Sequence, residues 1–240
     1  MTALNLFAII MLAALIHASF QLGISLLTLL SGHSLGAKSR HRKLLSLTGS
    51  FTLGAATMTA LLLCSFAYAA VVFYGTTVPA LVWAVTSGLL AGIGVAVWVF
   101  YYRRGAGTAL WMPRPITAML YTRVKSTGFA AESFSLGLTS VVAEIIFVAG
   151  PLIAASLSLA ELPRSLQALG VVSYVLVATL PLVVITMLIG GGHKISRIQK
   201  WRENNKRFLQ VAGGTALLVL GYYVYANIVV AQLALRGVAS

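Results

Sequence analysis

Six long apolar runs dominate the 240-residue chain, near Leu4–Leu30, Leu47–Tyr74, Val78–Tyr102, Gly128–Leu159, Leu166–Ile189 and Phe208–Leu233. A helix needs about 20 apolar residues to cross the hydrocarbon core of a bilayer, and every run reaches that length. The expected fold is therefore an all-α integral membrane protein with six transmembrane helices. Strands of a transmembrane β-barrel are segments of about ten residues with alternating polarity, and these runs are too long and too uniform for that. Charged residues make up only 9% of the chain, against roughly a quarter in soluble domains. The first basic residue is Lys38, so the first run reads as a retained helix rather than a cleaved signal.

The charges that remain are one-sided. There is no Asp, the four acids are Glu132, Glu144, Glu161 and Glu203, and the net charge is +13. Nucleic-acid binding needs a soluble basic face, whereas these cations fall in bursts between apolar runs. Lys38, Arg40, Arg42 and Lys43 follow the first run; Arg103, Arg104, Arg114, Arg123 and Lys125 follow the third; Lys194, Arg197, Lys200, Arg202, Lys206 and Arg207 follow the fifth. Only Arg164 and Arg236 fall on the other side, a split of fifteen to two. Because cytoplasmic loops carry the excess of Lys and Arg, the chain is expected in the cell inner (cytoplasmic) membrane with both termini outside. Trp98, Phe100, Tyr101 and Tyr102 form an expected inner aromatic belt, and Tyr222, Tyr223 and Tyr225 an outer one. In the segment from His193 to Trp201, Ile195, Ile198 and Trp201 recur among basic residues, the pattern of a short amphipathic segment lying on an anionic inner leaflet.

Three helices per half with opposite starting sides is the plan of an inverted-topology repeat. An offset of 114 residues pairs Ser19-Phe20-Gln21-Leu22-Gly23-Ile24-Ser25 with Ser133-Phe134-Ser135-Leu136-Gly137-Leu138-Thr139, and sets Gly36-Ala37 opposite Gly150-Pro151. The expected organisation is a 3+3 repeat: residues 1–107, a cytoplasmic connector over 108–127, and an inverted second half over 128–240. The first and fourth runs are long enough to contain a broken helix.

With Ala149-Gly150-Pro151 in the fourth run and Gly213-Gly214-Thr215-Ala216-Leu217-Leu218-Val219-Leu220-Gly221 after a basic loop, the chain resembles the LysE superfamily of small exporters and its relatives, the CcdA/DsbD-type thiol electron carriers. That resemblance implies export of a small solute. The thiol carriers place one cysteine in helix one and one just before the Gly-Pro of helix four, and dithiol exchange needs both. Here Val148 stands two before Gly150 and Cys64 is the single cysteine, so the resemblance points to transport. Cys64 itself is expected as a small buried apolar residue.

Within the runs, ionisable groups mark candidate sites, since they are costly in a membrane and face the protein interior or a water pathway. Glu144, surrounded by Val141, Val142, Ala143, Ile145 and Ile146, suits a proton- or cation-coupled site or, alternatively, a neutral hydrogen-bonded packing group. His17 reads as a proton carrier or as a buried hydrogen-bonding group. Glu132, which the offset sets opposite Ala18 beside His17, reads as a partner of that site or as an interfacial acid pairing with Arg123 or Lys125. Gln21, Ser25 and Thr28 share one face of helix one, and Ser135 and Thr139 form the matching stripe in helix four; such stripes line a solute path or tighten helix packing. Gly32 and Gly36, with Gly150 and Pro151, are candidate hinges or static kinks. No metal set, cofactor motif or catalytic motif stands out. The expected function is a secondary transporter exporting a small solute or ion by alternating access, the alternative being a non-transporting membrane scaffold or a redox-partner subunit without its own dithiol. Expected partners are the bilayer and the solute, with no nucleic acid; self-association as a homo-oligomer stays open.

Overall fold

The structure is a computed structural model and describes residues 2–20, 22–33, 39–100, 114–191, 200–201 and 203–238. Among these, the regular elements are helices and no strand occurs. They are α1 (Ala3–Ser19), α2 (Leu22–His33), α3 (Ser39–Tyr74), α4 (Ala80–Phe100), α5 (Arg114–Ser126), α6 (Ala130–Ala143), α7 (Ile145–Glu161), α8 (Arg164–Gly190), α9 (Lys206–Val224), a π-helical turn over Tyr225–Val230, and α10 (Ala231–Val238). Gln21, Gly36, Tyr101, Tyr102 and most of the amphipathic stretch from His193 lie outside the described residues.

Local chemistry sets the ends. Gly75 follows α3 with φ of 71° and donates its N–H to the Val71 carbonyl at 2.8 Å, a left-handed cap that glycine adopts without steric cost. Pro79 lends its carbonyl to the N–H groups of Val82 and Trp83 and so starts α4. Leu162 is extended before Pro163, as a residue preceding proline prefers, and this turn separates α7 from α8.

Four spans, Arg42–Tyr74, Ala80–Phe100, Arg164–Gly190 and Lys206–Ala234, are each long and apolar enough to cross a membrane, and six are counted if each of two bent pairs is one span. Leu61, Leu81, Val85, Leu176, Leu180 and Met187 point outward and are exposed, which a bilayer accommodates and water does not. The chain is a multi-pass membrane protein. Cys64 is exposed on α3 rather than buried; on a lipid-facing side a thiol meets surroundings as apolar as a core, so burial and hydrophobicity part company there.

The two bends define the interior. The axes of Ala3–Ser19 and Gly23–Leu30 diverge by 43°, and those of α6 and α7 by 80°. The second bend falls at Glu144, whose N–H turns to the carbonyls of Ser140, Val141 and Val142 while its own carbonyl takes the N–H groups of Phe147 and Val148. One residue thus ends α6 and begins α7. Gly150 and Pro151, expected at the break, lie instead inside α7 and are buried, and Gly32 lies inside α2. Proline is tolerated there because neighbouring helices wrap α7: the helix is buried from Phe147 to Ala160 apart from Ala149 and Ile153, packed by α1, α3 and α4. The offset of 114 sets Glu144 opposite Leu30, so the two bends do not occupy matched positions.

Glycines permit the closest crossings. Where α3 meets α6, a Cβ on Gly54 would overlap the Phe134 carbonyl and one on Gly137 the Phe51 carbonyl; Ser133 adds a hydroxyl bond to the Leu47 carbonyl at 2.6 Å. Where α4 meets α9, the Ser87 hydroxyl donates to the Gly221 carbonyl at 2.8 Å. At the other end of that pair, the Gln210 amide donates to the Val97 and Trp98 carbonyls, both at 2.8 Å. Small residues let helices in lipid approach closely and bond across the interface.

Candidate functional site at the helix breaks

A break in a membrane helix strands backbone groups that lipid cannot satisfy. At the start of α2 the Gly23 N–H is such a group, and it donates to Oε1 of Glu144 at 3.0 Å. Glu144 is 3% exposed. The acid at one break therefore caps the helix that begins at the other, at the positive end of the α2 dipole, where negative charge is favoured. Phe20, in the first break, stacks on Phe147 in the first turn of α7 with ring centroids 6.4 Å apart. Leu182 of α8 and Phe51 of α3 close over Gly23, and Gly213 of α9 gives Phe20 room. A carboxylate on a backbone amide, inside an aromatic and aliphatic shell, can bind a proton or a cation and can release the amide when it does.

His17 lies one helical turn before Phe20. Its Nδ1 is 3.0 Å from the Tyr174 hydroxyl, the rings are edge-on at 5.8 Å, and both residues are buried. This pair bridges α1 and α8.

The other expected residues are distributed as follows. Thr28 is buried and its hydroxyl returns to the Ser25 carbonyl at 2.9 Å, with Ser25 half-buried. Thr139 bonds the Ser135 carbonyl at 2.8 Å, and Ser135 is exposed. Glu132 does not join His17; it is exposed at the start of α6, where Oε2 accepts the Gly128 and Phe129 N–H groups at 2.7 and 3.1 Å. An acid at the third position of a helix reaches back to its own orphan donors, and that local geometry decides its place.

Three partners escaped the sequence reading. The Gly23 amide carries no side-chain signal. Tyr174 is a hydroxyl inside an apolar run, the same signal that singled out His17. Glu161, half-buried at the end of α7, accepts the Val78 N–H at 3.0 Å and the Trp83 indole N–H at 3.2 Å, clasping the α3–α4 turn. Among the described residues no three of His, Cys, Asp and Glu come together as a metal set. No protein-family model, curated protein or solved structure matches the chain.

Proposed function

We propose that the protein is a secondary transporter of the cytoplasmic membrane that moves a small solute or ion by alternating access, with Glu144 as its coupling acid. The observation that carries this reading is the meeting of two bent helices at one buried carboxylate bonded to the Gly23 amide. Broken helices with backbone groups turned inward are how secondary transporters build sites near the midplane.

Two halves related by inverted topology, with both termini outside, supply the moving parts. In favour of this, a bent pair followed by two long helices occurs on each side of α5, and the second helix of each half packs on the first of the other: α3 on α6, α8 on α1. In this mechanism, Glu144 bonded to Gly23 holds the breaks together; a proton or cation arriving at the carboxylate weakens that bond, and α7 moves relative to α2. Ser25 and Thr28 border the path on α2. The export direction and the kinship with LysE-type carriers rest on the sequence resemblance.

The test is pH-gradient-driven flux in proteoliposomes across amino acids, other small metabolites and divalent cations, comparing the parent with Glu144→Gln. Glutamine keeps an oxygen for the Gly23 N–H and loses the titratable charge. Coupled flux in the parent, abolished in a folded Glu144→Gln, is the expected result. Equal flux in both would remove Glu144 from coupling, and no flux in the parent for any solute would favour a membrane scaffold.

A further inference from the structure

On the side of the basic connections, α5 and the start of α6 enclose an open cleft of about 440 Å³. Its wall carries Arg123, Ser126, Thr127, Glu132 and Ser135, with Leu136 among its apolar parts. We propose that this cleft binds the headgroup of a phospholipid bearing a phosphate and a primary ammonium, the phosphatidylethanolamine type.

The argument rests on donors and acceptors. The Ser126 and Thr127 hydroxyls both spend their protons on the Arg123 carbonyl, at 3.1 and 2.6 Å. Toward the cleft they are therefore acceptors only. Glu132 commits Oε2 to the Gly128 and Phe129 amides, which leaves Oε1 as a third acceptor. Three acceptors, one of them charged, match the three N–H donors of a primary ammonium. On the opposite sign, the Arg123 guanidinium makes no ion pair among the described residues, and its planar fork suits a phosphate. The Ser135 hydroxyl has no protein partner among the described residues. Lys43 of α3 is close enough to Glu132 to favour its charged form. A trimethylated ammonium offers no N–H to the acceptors, and a headgroup with phosphate alone leaves them unmatched.

Depth agrees with chemistry. Leu120 and Val124 bury the inner face of α5, while Met119, Tyr121 and Phe129 are exposed around it. An apolar and aromatic fringe beside basic residues is how a helix lies at headgroup level, so the cleft opens where headgroups are.

The experiment is native mass spectrometry of the full chain from mixed micelles holding equal amounts of phosphatidylethanolamine, phosphatidylcholine and phosphatidylglycerol. The parent is expected to retain phosphatidylethanolamine over phosphatidylcholine by about tenfold or more, the discrimination of one charge-assisted hydrogen bond. Glu132→Gln keeps a capping oxygen for Gly128 and Phe129 and should bring the ratio close to one, whereas Arg123→Ala should lower retention of both phosphatidylethanolamine and phosphatidylglycerol. Thr127→Val, which leaves the cap untouched, should lower the ratio by itself and decides the matter if Glu132→Gln does not fold. Preference for phosphatidylglycerol in the parent, equal retention of phosphatidylcholine, or a ratio unchanged by both Glu132→Gln and Thr127→Val would overturn the proposal. Soluble phosphoethanolamine displacing the lipid at equal concentration would also overturn it, by assigning the cleft to a free solute.

Discussion

Replacing Gly137 by alanine tests the α3–α6 crossing most directly. A Cβ at Gly137 overlaps the Phe51 carbonyl oxygen and comes within 2.9 Å of the Ala55 nitrogen. Both are backbone atoms, so no rotamer change relieves the overlap and the helices must separate. Overpacking of this kind costs about 1–3 kcal/mol. Gly92 on α4 is the internal standard, because nothing lies within 4 Å of a Cβ built there, and alanine in an open helical position gains roughly 0.5–1 kcal/mol over glycine. That gain is common to both helical positions, so the two single variants should differ by the overpacking cost alone, about 1–3 kcal/mol in unfolding free energy. Thermal or denaturant unfolding of the purified protein in one detergent, followed by helical ellipticity, reads this difference. Gly54 stands at the same crossing against the Phe134 carbonyl, so Gly54→Ala with Gly137→Ala should cost less than the sum of the two, since one separation relieves both overlaps. Gly137→Ala as stable as Gly92→Ala would refute the close crossing, and strict additivity would refute the shared contact.

Other substitutions address single bonds. Glu144→Ala strands the Gly23 N–H and should cost about 1–3 kcal/mol, while Glu144→Gln keeps an acceptor and should stay closer to the parent in melting temperature. Glu161→Ala should release the Trp83 indole and the Val78 amide; the near-UV dichroism of the indole should weaken and the melting temperature fall, with Glu161→Gln intermediate. Tyr174→Phe removes the hydroxyl from His17 and should lower stability by about 1 kcal/mol, an effect that should reverse in sign when His17→Phe is already present, because the buried hydroxyl is then stranded. Trp98→Phe loses the indole bond to the Val211 carbonyl, 3.1 Å, and should cost about 0.6 kcal/mol, the mean for such interhelical bonds in membranes.

Span positions were legible because hydrocarbon thickness imposes a length that composition displays. The run Val78–Tyr102 encloses α4, Ala80–Phe100, and Phe208–Leu233 falls within the last span, Lys206–Ala234. At the start of α3 the helix runs eight residues beyond the apolar edge at Leu47, from Ser39 through Arg42 and Lys43. Long cationic side chains extend to the interface, so a helix need not end where apolarity does. The connector of residues 108–127 contains α5, whose inward Leu120 and Val124 are an i,i+4 pair too short to register against the basic residues between and beside them. The breaks were least legible. Gly-Pro pairs are the usual sequence signal of a break, yet α7 continues through Gly150 and Pro151 and the 80° bend falls at an acid. Glu144 drew notice as an embedded charge, but its partner is a main-chain N–H 121 positions away, and main-chain donors are the same at every residue except proline.

That last point bears on what Glu144 can reveal about function. A break inside a membrane must satisfy the first N–H groups of the helix that restarts, and a buried acceptor at that spot is required whether or not anything is transported. Loss of stability in Glu144→Ala therefore says nothing about transport, because a scaffold with the same break would lose as much. What a static cap does not need is charge. A glutamine would cap Gly23 without the desolvation penalty of a carboxylate, so a chain that keeps Glu144 solely as a cap bears a cost with no return. The discriminating comparison is Glu144→Gln, measured for both properties in one preparation. A scaffold should be as stable as the parent or more so, with no function to lose; a coupled transporter should be inactive and somewhat less stable, because the neutral side chain weakens the bond that holds the breaks together. A variant that lost flux while becoming more stable than the parent would refute this mechanism, since it would mean that the charge does not hold the two breaks together.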